Sequence, residues 1–214
     1  MNNKNKLQRP RIIGTLEKLD DAVNEIYNEN SLSNKIIENV VISGLEDIRV
    51  SFDKCVFKNV TFEYCDLTKI DMMDVIFENC NLANIPFSKG SIYRTEFTKC
   101  KITGTRFDEC LMKNVLFDSC VGKYVNLAYT KFDGVNIIES EFLSAVFQEV
   151  EIKKMVFENT NLSNAIFYNS KLNGIDLSTC NIEDIQLGVN DISGANVSVV
   201  QALDLTRLMN IKIK

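Results

Sequence analysis

The sequence contains no histidine and no tryptophan, and only two of its 214 residues are proline. Without histidine the chain lacks the side chain that most often serves as general base, proton shuttle or metal ligand. Two prolines exclude a proline-rich linker. No apolar run approaches the ~18 residues of a membrane-spanning helix, and the first residues lack the apolar segment of a signal peptide. We therefore expect a cytoplasmic protein.

The charge balance is acidic, with 29 acidic against 24 basic residues, a net charge of −5 and a pI near 5.0. Phosphate groups attract the opposite sign, so this balance argues against direct binding of nucleic acid or of an anionic membrane. The sequence also offers no glycine-rich phosphate loop and no activated nucleophile. We expect neither catalysis nor a cofactor.

A five-residue repeat dominates the chain. All thirteen phenylalanines, from Phe52 to Phe167, fall in the same register modulo five. From Phe52 to Val197 this register, here called the central position, holds a large apolar residue everywhere except at Gly122. At Gly122 we expect either a void or shifted neighbour, or a kink that shapes the surface near Tyr124 and Tyr129.

The position two residues before the central one is also predicted to point inward. It holds all seven cysteines, and no charged residue occupies either inward position between Phe52 and Val197. A period of five is neither helical nor that of an ordinary strand. Two inward residues in five can fill a narrow prism whose turns stack through backbone hydrogen bonds at ~4.8 Å. The sequence therefore predicts an all-β solenoid.

The two ends depart from the repeat. Residues 15–30 show helical spacing of apolar residues, with Thr15 as the candidate N-cap, and we expect residues 1–36 to form an N-terminal cap. Residues 37–197 are the expected repeat domain; Ile37 and Ile42 keep the register but Asp47 breaks it.

The last segment, residues 198–214, is predicted to cap the rod and to form a dimer. Ser198 and Gln201 make a capping box for a helix running to Met209, which Asn210 can end. Residues 211–214 alternate as a short strand. An exposed apolar patch usually marks an interface, and the candidate dimer residues are Leu203, Leu205, Leu208, Met209, Ile211 and Ile213.

The pattern resembles the pentapeptide-repeat family, whose loose motif is A-(D/N)-L-x-x. Residues 174–178, 164–167 and 194–197 show it. The resemblance implies a right-handed, four-sided parallel β-helix with twenty residues per coil. Cys80, Cys100 and Cys120 would then stack on one face. We expect them to be buried structural thiols, because parallel Cβ atoms suit neither a disulfide nor, without inward bending, a tetrahedral metal site.

The C-terminal segment narrows the resemblance. Gln201, Ala202, Leu205, Met209 and Ile211, together with the stretch 126–132, look like the Qnr group of quinolone-resistance proteins. The register from 52 to 197 has no insertion, which resembles the loop-free members from Gram-positive bacteria. This resemblance implies a dimeric rod that imitates DNA and binds DNA gyrase or topoisomerase IV, protecting it from fluoroquinolones.

Sorting residues modulo twenty places an acidic excess on one face. Six carboxylates against Lys58 and Lys99 lie on the face through Phe57, Phe77 and Phe97, and the candidate partner-binding residues are Glu78, Glu96, Asp118, Glu139, Glu158 and Asp176. Regular carboxylates on a rod can imitate a phosphate backbone. The alternatives are a solvated face that keeps the rod soluble, or a scaffold rod with another partner. In the scaffold case the apolar residues of the same face would matter more: Val56, Ile76, Leu116 and Val156.

Overall fold

The computed structural model describes residues 6–46 and 48–211. It is a parallel β-solenoid of about seven turns, which confirms the predicted fold class. Phe57 pairs with Phe77, and Phe77 with Phe97, in parallel register. Each coil therefore contains twenty residues, or four five-residue repeats. Asp47, where the sequence breaks the register, lies outside the described residues.

The strands follow the repeats. Short strands come first: β1 (Glu17–Lys18), β2 (Ser31–Ser33), β3 (Lys35–Glu38), β4 (Val41–Ser43), β5 (Ser51–Asp53), β6 (Val56–Lys58) and β7 (Thr61–Glu63). Eight-residue strands then stack in order: β8 (Asp71–Glu78), β9 (Ser91–Thr98), β10 (Leu111–Asp118), β11 (Lys131–Ile138) and β12 (Glu151–Glu158). The main sheet runs β1-β3-β6-β8-β9-β10-β11-β12, with β5 joining β2 to β8, and β4 pairs with β7.

The other two repeats of each coil are tight turns. Isolated parallel bridges, such as Asn81 with Lys101 and Pro86 with Arg106, connect them from coil to coil. The residue two places after the central one has a left-handed backbone, for example Asn79 (φ 53°) and Asn84 (φ 61°). This conformation turns the chain onto the next side, and asparagine and glycine tolerate it best.

The Asp or Asn of the motif has a local role in the turns. The side-chain oxygen of Asn126 accepts a hydrogen bond from the Ala128 amide at 3.0 Å, and that of Asp176 from the Ser178 amide at 2.9 Å. Such Asx turns give a hydrogen-bond partner to a backbone amide at the corner of the coil. The motif therefore encodes the corner as well as the core.

The core is a column of stacked rings and small side chains. Phe57, Phe77, Phe97 and Phe117 stack face to face with centroids 4.9–5.0 Å apart. The spacing matches the ~4.8 Å between strands, so one ring per coil stacks directly on the next in this column. All seven cysteines are buried in the second inward position.

At Gly122 the structure confirms the prediction that a neighbouring side chain fills the space of the missing one. A Cβ at this position would lie 3.1 Å from Cε2 of Phe142 and 3.3 Å from Cδ1 of Ile102. The Gly122 amide donates to the Glu141 carbonyl at 2.7 Å, as in the regular ladder. Glycine is needed here for space, and the expected kink is absent at this residue.

The ladder from Phe52 to Val197 carries no inserted loop, but it contains one bulge. Phe132 pairs with Ile152 and Val135 with Met155, whereas Asp133 between them pairs with Lys154. The pairing register thus shifts by one residue at Asp133 and is regular again at Val135. No helix among residues 6–46 and 48–211 is long and apolar enough to cross a membrane.

The N-terminal helix is shorter than the sequence predicted. Helix α1 spans Ala22–Glu29 and its N-cap is Asp21, whose carboxylate accepts from the Asn24 amide at 3.0 Å. Thr15 as N-cap was therefore wrong, because Thr15 is exposed and the chain forms β1 before the helix starts. Ala22 and Ile26 are buried against the first coil. Pairing of Leu32 with Phe52 shows that coil stacking begins before residue 37.

The last coil contains the short helix α2 (Val189–Ile192), and it is followed by α3 (Val199–Leu205) and a 3-10 turn at Thr206–Met209. The Ser198–Gln201 capping box is present, and Asn210 ends the segment in a left-handed conformation (φ 55°). The Gln201 amide also donates to the carbonyls of Leu177 (2.9 Å) and Cys180 (2.8 Å). The predicted strand at 211–214 lies outside the described residues except for Ile211.

Candidate partner-binding surface

Three of the predicted carboxylates form a row at the ends of stacked strands. Glu78, Asp118 and Glu158 each follow a central phenylalanine and end β8, β10 and β12. The register aligns them through Thr98 and Ile138, so they recur every second coil. At ~4.8 Å per coil the spacing is roughly 10 Å.

Glu139 and Asp176 are two further carboxylates on the same face of the rod. Glu139 is exposed at the neighbouring position and accepts a hydrogen bond from the Asn159 amide at 2.5 Å. Asp176 is exposed, and its hydrogen bonds from Ser178 lower its pKa below the usual value. We call the four carboxylates Asp118, Glu139, Glu158 and Asp176 the acidic row. Glu78 is left out of this set because it lies 3.6 Å from the Lys58 ammonium.

Glu96 does not belong to the exposed surface. Only 5% of the residue is exposed, and its carboxylate is held by the Arg9 guanidinium, with Nη2 2.8 Å from Oε2. The sequence placed Glu96 among the exposed carboxylates because its position in the repeat faces outward. The structure shows that another part of the chain covers it.

The covering element is the N-terminal arm, defined as residues 6–16. The Arg11 amide donates to Asp74 (2.9 Å), the Gln8 amide to Asn114 (3.2 Å) and the Tyr93 hydroxyl to the Gln8 side chain (3.3 Å). The arm thus lies along the side of the rod. Sequence reasoning missed it, because residues 6–16 carry no repeat register; the one available signal was the concentration of basic residues there.

Beside the arm lies a buried ion pair. Asp74 and Arg94 are 2% and 8% exposed, and two hydrogen bonds of 2.5 and 2.6 Å join them. The Arg94 guanidinium, together with the Arg11 amide, holds the pKa of Asp74 below its usual value. Arg94 also lies over the Tyr93 ring, 4.0 Å from its centroid. The positive charge of Arg94 is therefore internal and does not contribute to a basic face.

The apolar residues expected to be exposed on this face are largely covered. Val56 and Leu116 are buried at 7% and 8% exposure, and Ile76 and Val156 are half-buried. In the parallel ladder Glu96 lies between Ile76 and Leu116, and the three residues form one column. The arm that holds Glu96 therefore crosses this column. These four residues therefore do not form the exposed apolar patch that the scaffold alternative would use.

The C-terminal end presents the apolar surface that the sequence predicted. Leu203, Met209 and Ile211 are about half exposed (51%, 54% and 51%), whereas Leu205 and Leu208 are half-buried against the rod. Val199 and Val200, which the sequence analysis did not select, are 80% and 68% exposed. A shallow apolar pocket of about 310 Å³ lies beside α3 and is lined by Val189, Ile192, Ala195, Val197, Leu205 and Leu208. Ile213 lies outside the described residues.

The stacked thiols have a structural explanation. The Sγ atoms of Cys80, Cys100 and Cys120 donate to the carbonyls of Phe57, Phe77 and Phe97, respectively, at 3.2–3.4 Å. Burial raises the pKa of Cys110 to about 12. In the described part of the chain, no group of three or more cysteine or acidic side chains is placed to hold a metal ion.

The fold and its inward pattern define a parallel β-solenoid of five-residue repeats. Family models described as "Pentapeptide repeat region" and "Pentapeptide repeats (8 copies)" match residues 70–141 and 145–184, together about half of the chain. The chain belongs to the pentapeptide-repeat family. No curated protein matches its sequence significantly.

Solved structures of other proteins are similar to this chain at low sequence identity. A trypsin-treated variant of QnrB1, a plasmid-mediated fluoroquinolone resistance protein, is 16% identical, covers 86% of this chain and 99% of its own, and has a TM-score of 0.55. Full-length QnrB1 is 15% identical over 82% of this chain and 100% of its own, with a TM-score of 0.49. HetL of Nostoc sp. strain PCC 7120, involved in heterocyst differentiation regulation, is 10% identical over 83% of this chain and 94% of its own, with a TM-score of 0.34.

Proposed function

We propose that the protein binds DNA gyrase or topoisomerase IV as a mimic of DNA and protects the enzyme from fluoroquinolones. The observation that carries the proposal is the acidic row, a series of carboxylates along one side of the rod. About seven coils at ~4.8 Å give a rod of roughly 34 Å. QnrB1, described as a fluoroquinolone resistance protein, has the same fold.

Electrostatics favours the C-terminal half of this face. Glu96 is neutralised by Arg9, and Glu78 lies beside Lys58. The acidic row instead includes three carboxylates that accept hydrogen bonds from neutral groups: Asp118 from the Ser119 hydroxyl, Glu139 from the Asn159 side-chain amide and Asp176 from the Ser178 backbone amide. Its charge therefore extends into solvent, where it can steer the rod onto a basic saddle.

The active form in this proposal is a dimer joined through the C-terminal end. Exposed Val199, Val200, Leu203, Met209 and Ile211 form an apolar surface at the tip of the rod, and such surfaces usually mark an interface. A twofold axis at this tip would place two acidic rows in one longer rod. The pairing would also shield the last coil from adding foreign strands.

The test is neutralisation of the acidic row. The variant D118N/E139Q/E158Q/D176N is expected to lose gyrase binding at least tenfold in an equilibrium pull-down or surface binding assay. The matched control removes four exposed carboxylates from other faces of the rod: Glu63, Glu141, Glu149 and Glu183, each replaced by glutamine. Equal binding by both variants would contradict the assignment of this surface.

A further inference from the structure

The arm is basic, whereas the rest of the chain is acidic. The first sixteen residues contain Lys4, Lys6, Arg9 and Arg11 and no carboxylate. With a net charge of −5 for the whole chain, these four cations imply a charge of about −9 for the remainder. An acidic rod thus binds its own basic segment.

The path of the arm is that of an extended peptide running along the rod axis. Arg11 contacts Asp74, Arg9 contacts Glu96, Gln8 contacts Asn114 and Leu7 lies by Gly134, one coil further at each step. Four extended residues span about 14 Å, and three coil steps also span about 14 Å. The length of the arm from Arg11 to Leu7 therefore matches the distance across the four coils that it contacts.

The rod holds the arm with side chains and not by adding a strand. The backbone amides of Gln8 and Arg11 donate to the side-chain oxygens of Asn114 and Asp74. Gly134 has a positive φ of 83°, and a Cβ there would lie 3.4 Å from the Leu7 side chain. Asp74, Tyr93, Glu96, Asn114 and Gly134 together form what we call the arm groove.

We propose that the arm groove is a docking site for an extended basic segment of a partner protein, and that the arm is its intramolecular occupant. The arm shows the chemistry that the groove takes: an apolar residue, an arginine two positions after it that binds a carboxylate, and a backbone amide two positions further on, as in Leu7, Arg9 and Arg11. The Arg9 side chain remains 71% exposed while its partner carboxylate is 7% exposed. Most of the Arg9 side chain therefore lies in solvent, while its guanidinium covers the Glu96 carboxylate.

Displacement is feasible because the occupant is bound by few contacts. Residues 6–13 belong to no helix or strand, and surface ion pairs contribute about 0–1 kcal/mol each. Tethering nevertheless gives the arm a local concentration on the order of millimolar. A partner segment must therefore compete with it, so the intact arm sets a threshold for docking. This inference does not depend on gyrase being the partner.

The experiment measures binding of the arm peptide in trans. The probe is a fluorescein-labelled peptide of residues 4–16, followed by fluorescence polarisation. The receptors are the full chain, a chain lacking residues 2–14, and a full chain carrying Arg9→Glu, in which repulsion from Glu96 loosens the arm and leaves the groove intact. Arg106→Glu, at an exposed arginine remote from the arm, is the matched charge control.

We expect the shortened chain and the Arg9→Glu chain to bind the peptide at least tenfold more tightly than the full chain and the Arg106→Glu chain. A scrambled peptide of the same composition should bind at least tenfold more weakly than the arm peptide. The proposal is overturned if the folded Arg9→Glu chain binds the peptide no better than wild type, or if the scrambled peptide binds equally well. The Arg9→Glu chain keeps the test decisive should the shortened chain fail to fold.

Discussion

The ring of Phe142 occupies the space that a side chain at position 122 would need. The Cε2 atom lies 3.1 Å from an ideal Cβ on Gly122, and the same ring packs edge-on against Phe117 with centroids 5.8 Å apart. One glycine in the central column is thus compensated by one large ring in the next coil. The core keeps its density although the repeat loses a side chain.

This relationship predicts coupling between the two positions. Gly122→Ala should lower the free energy of unfolding by about 1–3 kcal/mol, because overpacking forces the ring to move. In a chain that already carries Phe142→Leu the same substitution should cost less, by a coupling energy of about 0.5–3 kcal/mol. A double-mutant cycle in urea measures it, and strictly additive effects would show that the ring does not fill the place of the missing side chain.

The Asp74–Arg94 pair predicts a specific acid sensitivity. The folded-state pKa of Asp74 is lowered, so its stabilising contribution is present above the unfolded pKa of about 3.9 and is lost as pH falls through the folded value. Asp74→Asn should cost about 3 kcal/mol at pH 7, because Arg94 stays buried without its charge partner.

The measurement is the urea midpoint between pH 7 and pH 2.5. The Asp74→Asn chain should lose less stability than wild type as the pH falls below 4. Asp204→Asn, at an exposed carboxylate in α3, serves as the control and should follow the wild-type curve. Parallel curves for wild type and Asp74→Asn would mean that the pair carries no pH-dependent stability.

The seven buried thiols should not react with thiol reagents in the folded protein. Burial raises the pKa of Cys55 to about 11 and that of Cys110 to about 12, so at pH 8 thiolate is scarce and reagent is excluded. A disulfide reagent such as DTNB should label less than one thiol per chain in buffer and all seven in denaturant. Rapid labelling of several thiols in the native state would contradict the burial.

The C-terminal surface predicts the oligomeric state. Light scattering should give twice the 24.3 kDa chain mass. The variant L203E/M209E should run as a monomer without loss of secondary structure, because both side chains are about half exposed. Val121→Glu changes a partly exposed apolar residue on the side of the rod and should remain a dimer. A monomeric wild-type chain would contradict the proposed dimer.

The repeat made the solenoid predictable because one inward position in five is almost always large and apolar. The capping box at Ser198 and Gln201 was predictable because its partners are three residues apart in sequence. The arm was not, since Arg9 and Glu96 are 87 residues apart and no local pattern links them. The same contact explains why Glu96 was wrongly expected at the surface. Helix α1 starts later than predicted because Leu16 and Leu19, which fit a helical spacing, flank β1 instead.

The central claim is tested most directly by gyrase activity. Purified protein is titrated into a supercoiling reaction with and without a fluoroquinolone. The account predicts that the wild-type chain restores supercoiling in the presence of the drug and that D118N/E139Q/E158Q/D176N does not. Absence of any effect at micromolar wild-type protein, on supercoiling or on drug-stabilised cleavage, would contradict gyrase as the target.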